Sequence, residues 1–110
     1  MLVTVIVPAY NEEKLIGGCL ESVMKNSGNL VKEIIVIDNA SSDRTGEIAA
    51  KRTGVRVIRE DIKGLTHARE RGPQEATAEF IAYLDADSRL PTKWSELVEK
   101  AFKENPEPCR

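Results

Sequence analysis

The sequence has almost no cysteine, a single histidine and no long apolar run. Its two cysteines, Cys19 and Cys109, make no framework. Cys19 falls on the apolar face of a predicted helix and Cys109 lies beside the last residue, so no structural disulfide is expected and a reducing cytoplasm is the default setting. His67, the only histidine, has no serine or cysteine nucleophile visibly paired with it, which leaves no sign of a catalytic triad. The longest apolar stretch near the start, Leu2–Val7, is interrupted by Thr4. It is far too short to span a bilayer, and no basic region precedes it as in a signal peptide. The expected location is therefore cytoplasmic, or at the cytoplasmic face of a membrane through segments outside this chain. No charge of one sign dominates: 16 basic residues face 18 acidic ones, for a net charge of −2. That balance argues against nucleic acid as the main partner, because phosphate backbones select basic faces. Two nucleotide motifs are also missing. There is no G-x-G-x-x-G after the first strand and no G-x-x-x-x-G-K-[ST] anywhere, which speaks against a dinucleotide Rossmann site and excludes a P-loop.

What remains is the profile of one small soluble domain: 110 residues, 41% apolar and 31% charged, enough to bury a core by a thin margin. Leu2–Val7 followed by Pro8 reads as a buried strand. Leu15, Ile16, Cys19, Leu20, Val23 and Met24 recur at helical spacing, with Asn11 as the expected N-cap, Glu12 and Glu13 suited to the helix dipole, and Ser27-Gly28-Asn29 as the stop. Glu33–Asp38 is a second strand. A helix from about Arg44 to Thr53 packs Ile48 and Ala49 and ends at Gly54. Val55–Arg59 is a third strand. The helical pattern from Leu65 to Ala78 contains Gly72-Pro73, where a kink or two short helices are expected. Phe80–Leu84 is the fourth strand. Pro91 suits the first position of a last helix that aligns Trp94, Leu97, Val98, Ala101 and Phe102 and stops at Asn105-Pro106. The order βαβαβαβα, with apolar strands between amphipathic helices, predicts an α/β fold: a doubly wound, mostly parallel four-stranded sheet with flanking helices.

In such sheets ligands bind outside the carboxyl ends of the strands, where strand order reverses. The segments there are Pro8-Ala9-Tyr10-Asn11-Glu12, Asp38-Asn39-Ala40-Ser41-Ser42-Asp43 and Asp85-Ala86-Asp87. Two carboxylates on one short turn suit a hard divalent cation, Mg2+ or Mn2+, that bridges them to a diphosphate and stabilises the charge on a leaving diphosphate. A helix cap on a solvated turn is the other reading of Asp85 and Asp87. Asp38 can cap the next helix or, since Ser41, Ser42 and Asp43 are available for that, accept hydrogen bonds from a ligand. Tyr10 can stack on a nucleobase or simply pack. Arg69 can reach a diphosphate or pair with a neighbouring glutamate.

Four segments carry a resemblance: Val5–Glu13, Ile35–Thr45, Gly64–Gly72 and Tyr83–Pro91. In this order and spacing they resemble the signatures of family 2 glycosyltransferases across nearly the whole chain. The resemblance implies a GT-A fold, a UDP- or GDP-linked sugar donor, an unidentified acceptor hydroxyl and inversion at the anomeric carbon. By motif position Pro8, Ala9, Tyr10, Asn11, Glu12, Asp38, Asn39, Ser41, Asp43, Gly64, Arg69, Asp85 and Ala86 would border the nucleotide, and Asp87, with Asp85, would hold Mn2+ or Mg2+. Glu70 stands where the family usually has asparagine, and Pro73 is unusual in that helix. The family's catalytic domain is roughly twice as long, so residues 1–110 correspond to its nucleotide-sugar-binding portion, with the acceptor-binding half and the general base expected elsewhere. The alternatives are a non-catalytic nucleotide-sugar-binding module, or a truncated partner subunit completed by another chain or by self-association.

Overall fold

A computed structural model describes residues 2–104. The elements run β1 (Val3–Ala9), α1 (Ile16–Asn26), β2 (Val31–Asp38), α2 (Thr45–Ala50), β3 (Val55–Arg59), α3 (Leu65–Glu75), β4 (Phe80–Tyr83) and α4 (Trp94–Glu104). The four strands form one sheet in the order β3-β2-β1-β4, and every pairing is parallel. The α/β expectation thus holds, and the sheet is parallel throughout.

Alternation along the strands divides the core. Val3, Val5 and Val7 of β1, with Ile34 and Val36 of β2, pack against Ile16, Cys19, Leu20 and Val23 of α1 and Ala49 of α2. Half-buried Trp94 and Val98 of α4 close the same face, and Phe102 meets Phe80 edge to face at 5.1 Å. Ile6, Ile35 and Ile37 point the other way, onto Ala68 of α3 and Ile58 of β3. That second face is thin. Gly72 lets α3 approach β1, because a Cβ there would lie 2.6 Å from Ile6 Cδ1.

Four local expectations are corrected. The α3 helix runs unbroken through Pro73. Proline leaves the carbonyl four residues back without its helical donor, and here that carbonyl, Arg69 O, accepts the Tyr83 hydroxyl at 3.1 Å; the helix ends two residues later, so little else is disrupted. Asn11 is not the cap of α1, which begins at Ile16 without a side-chain cap; Asn11 adopts φ +50° and bonds to a different loop. Pro91 does not start α4, because Lys93 takes a left-handed φ of +63° and the helix begins only at Trp94. The α2 helix is shorter than expected, ending at Ala50, with Gly54 at φ +82° in the turn before β3. Leu97 and Ala101 are exposed. Cys19 is buried and free; Cys109 and the Asn105-Pro106 stop lie outside the described residues. Among the described residues no helix is long and apolar enough to cross a membrane.

Candidate functional site

β2 and β3 follow β1 to one side of it, whereas β4 lies on the other. The direction of winding therefore reverses between β1 and β4, and loops leaving the two strands diverge there and open a crevice. A cleft of about 530 Å3 occupies that position. β1 supplies Pro8 and Ala9, the loop after it Tyr10 and Glu12, the residue after β2 Asn39, and the turn after β4 Asp85, Ala86 and Asp87. Gly64, Leu65 and Ala68 from the start of α3 form the remaining wall, with Lys63 just before them. Nine of the expected residues thus meet in one cleft.

The remaining candidates do not line it. All but Arg69 hold its loops. The Asn11 amide donates to Ser41 Oγ at 3.0 Å, and Asn11 Oδ1 accepts the Ser42 amide at 2.8 Å. The Glu12 amide donates to Thr45 Oγ1 at 2.8 Å and that of Glu13 to Asp43 Oδ2 at 3.3 Å. Asp43 Oδ1 also accepts the Thr45 amide at 3.0 Å, the capping role foreseen for this turn. Desolvation works to raise the Asp43 carboxyl, but the bonds from Thr45 and from the Glu13 amide outweigh it and leave the group below its ordinary value. The loops after β1 and β2 are therefore laced together by short polar side chains.

Asp38 is not free, contrary to the argument that neighbouring caps release it. It is 6% exposed; Oδ1 accepts the Ser41 amide at 3.2 Å, and Oδ2 meets Arg59 Nη1 at 3.3 Å. Asn39 lines the cleft, yet its amide is committed: Nδ2 donates to Glu60 O at 3.1 Å and Ile62 O at 2.8 Å, while Oδ1 accepts the Gly64 amide at 3.0 Å. It clamps the β3–α3 connection so that α3 starts at the cleft. Gly64 itself has φ +132°, a conformation that glycine adopts at little cost. Arg69 is exposed on α3 and, among the described residues, its side chain pairs with no glutamate.

The cleft carries both signs of charge. Asp85 and Asp87 are exposed and bracket Ala86, which is 3% exposed and anchors the turn in the core. Neither carboxylate makes a hydrogen bond or ion pair within the described residues. Nor does any group of three or more His, Cys, Asp or Glu residues come together there. Two open carboxylates suit Mg2+ or Mn2+, which keep several waters and take substrate phosphate oxygens, better than a closed protein cage. The same cleft is lined by Lys63 and the start of α3, whose first-turn N–H groups carry the positive end of the helix dipole. Lys63 Nζ lies 5.4 Å from the centroid of the Tyr10 ring, which is 46% exposed. Lys63 was not among the residues singled out from the sequence; its position next to a glycine at a helix start was the available signal.

Residues 4–109 match the family model for glycosyl transferase family 2. The chain belongs to this family. It is 33% identical over 108 residues to the uncharacterized glycosyltransferase EpsJ of Bacillus subtilis, covering 94% of this chain and 31% of that protein. Among solved structures it resembles S. aureus TarS 1–349, with a TM-score of 0.85 and 26% identity over 96% of this chain and 33% of that one. It also resembles glucosyl-3-phosphoglycerate synthase from Mycobacterium tuberculosis, with a TM-score of 0.72 and 27% identity over 84% of this chain and 35% of that one. The chain thus spans about a third of the length of these relatives. The parallel sheet and its flanking helices match the GT-A arrangement of those structures.

Proposed function

We propose that the chain is the donor-binding part of an inverting glycosyltransferase. It would hold a nucleotide-diphosphate sugar, with UDP as the nucleotide, so that an acceptor hydroxyl can displace the diphosphate from the anomeric carbon. The observation that carries this reading is the meeting of both signs of charge in the β1–β4 cleft. Open carboxylates at Asp85 and Asp87 line it together with Lys63 and the start of α3, and Lys63 lies beside the exposed ring of Tyr10.

In this reading Tyr10 stacks on the base, and Pro8, Ala9, Glu12, Asn39 and Gly64 shape the space for the nucleoside. Asn11, Asp38, Ser41 and Asp43 keep the loops in register from behind. Asp85 and Asp87 hold Mn2+ or Mg2+, which when bound supplies positive charge beside the departing diphosphate. Lys63 and the first turn of α3 offer further positive charge to the same phosphates. The ligands of the structural neighbours support this choice: TarS 1–349 has been crystallised with UDP-GlcNAc, and the synthase with Mn2+, UDP-glucose and phosphoglyceric acid.

Calorimetry with UDP and with GDP, each with and without Mn2+, tests the reading. UDP should bind more tightly with Mn2+, and Asp87→Ala should weaken Mn2+-dependent binding roughly 10- to 100-fold, the loss expected for a charged contact worth about 1.5–3 kcal/mol. Equal binding by wild type and Asp87→Ala in Mn2+ removes the metal role, and preference for GDP reassigns the base.

A further inference from the structure

Among the described residues the acidic turn after β4 is free on its carboxylate side and tied down on its backbone side. The ties all come from one face of α1. Gly18, Ser22 and Asn26 recur every fourth residue and so line one stripe, with Cys19 beside it. Cys19 Sγ donates to the Asp85 carbonyl at 3.6 Å. The Leu90 amide donates to Ser22 Oγ at 3.0 Å, and Ser22 Oγ in turn donates to the Cys19 carbonyl at 2.7 Å. Asn26 Nδ2 donates to the Leu90 carbonyl at 3.4 Å and to the Ser22 carbonyl at 3.0 Å. Gly18 gives the Arg89 guanidinium its seat, since a Cβ there would overlap it. Both ends of the segment Asp85–Leu90 are therefore fastened to α1. Within it, the Ser88 amide closes on the Asp85 carbonyl at 2.9 Å, and buried Ala86 fixes the middle.

These bonds are more than packing needs. An apolar residue at position 22 could cover the core, but it would leave the Leu90 amide without its acceptor. A rigid backbone carrying two unpaired carboxylates is what a cation site requires if the ligands are not to collapse together or splay apart between turnovers.

We propose that Ser22, with Asn26 and Cys19, acts as a positioning residue for the cation site, its hydrogen bonds on the Asp85–Leu90 segment setting the separation and aim of Asp85 and Asp87. The inference rests on the metal-assisted reading above but concerns different residues and a different helix. Ser22, Asn26 and Cys19 do not themselves line the cleft; they reach its acidic turn from behind.

The test compares wild type, Ser22→Ala, Asn26→Ala and Ser22→Thr by Mn2+ titration followed by electron paramagnetic resonance, by UDP calorimetry with and without Mn2+, and by thermal melting. Ser22→Ala should lose Mn2+ affinity by about tenfold, the usual scale for removing a hydrogen bond behind a metal ligand. Its metal-free UDP affinity should hold, and Ser22→Thr, which keeps the hydroxyl, should recover Mn2+ binding. Asn26→Ala, at the half-buried end of α1, should show a smaller loss of the same kind and serves if Ser22→Ala does not fold. A fall in melting temperature with Mn2+ affinity unchanged, or with metal-free UDP affinity falling in parallel, overturns the inference and leaves α1 as packing alone. A wild-type chain whose UDP binding ignores Mn2+ overturns the metal-assisted reading and this inference with it, so the two failures are told apart.

Discussion

Gly72→Ala should destabilise the protein, although replacing glycine by alanine in a helix ordinarily helps. The helical preference of alanine contributes about 1 kcal/mol in favour. Against it stands the contact between α3 and β1. An added Cβ would lie 2.6 Å from Ile6 Cδ1 and 2.8 Å from Ile6 Cγ2. The first of these is the end of a side chain, but the second sits on the branch next to the backbone of a central strand, and Ile6 is 0% exposed. Turning the outer bond of Ile6 relieves the first overlap but not the second, and turning the inner bond leaves Cγ1, already 3.3 Å from the added Cβ, to be accommodated, so α3 must lift. Overpacking of this kind costs about 1–3 kcal/mol. Pro73 adds to it, because its ring crowds the Cβ of a helical residue just before it. The net effect is a loss of about 1–2 kcal/mol, read as a lower urea midpoint with an unchanged slope. The double mutant decides whether the cause is this contact. Ile6→Ala alone should cost about 2–5 kcal/mol, and in the Gly72→Ala background it should cost at least about 1 kcal/mol less, since the cavity takes up the new methyl. Strict additivity, or a Gly72→Ala chain as stable as wild type, refutes the argument that glycine is needed for close approach.

At the other end of the sheet Glu33 Oε2 accepts Thr4 Oγ1 at 2.8 Å and both the amide and the hydroxyl of Thr77 at 2.6 Å. Desolvation works to raise the Glu33 carboxyl, but the Thr77 and Thr4 bonds and nearby Arg56 outweigh it and hold the group below its ordinary value of 4.5. A lowered folded-state pKa gives stability that is present above the unfolded value and lost as pH falls through the folded one. The stability gap between wild type and Glu33→Gln should therefore close on acidification across that window in urea titrations, and a constant gap would show that the charge does not matter. Asp38→Asn should lower the melting temperature by about 4–8 °C, the equivalent of one weakened hydrogen bond of about 1 kcal/mol. An unchanged melting temperature with lost UDP affinity would instead place Asp38 on the nucleotide.

The strands were legible because burial on both faces leaves runs such as Val3, Val5, Ile6, Val7 and Ile34–Ile37 with almost no polar interruption. The site was legible to the extent that strand ends reveal it: Tyr10, Asn39 and the Asp85–Asp87 turn lie where a parallel sheet places its ligands. What escaped depends on contacts distant in sequence. Nothing local to Pro73 announces that the Tyr83 hydroxyl will satisfy the carbonyl it strands. Asn11 has the composition of a cap, and only the presence of Ser41 and Ser42 opposite turns it into a cross-loop tie. Asp38 looked free because capping was counted along the chain, while Arg59 approaches from the adjacent strand β3.

Two walls of the cleft belong to strands far apart in the sequence. Val3 of β1 pairs with Phe80 of β4, and while β1 is fully buried, β4 is only half covered. Any ligand that grips Tyr10 and the Asp85–Asp87 turn together spans this seam. It acts as a non-covalent cross-link between the first and last strands, and its binding energy is forfeited whenever β4 parts from the sheet. A ligand held in the cleft would thus double as a fastening of the fold that holds it.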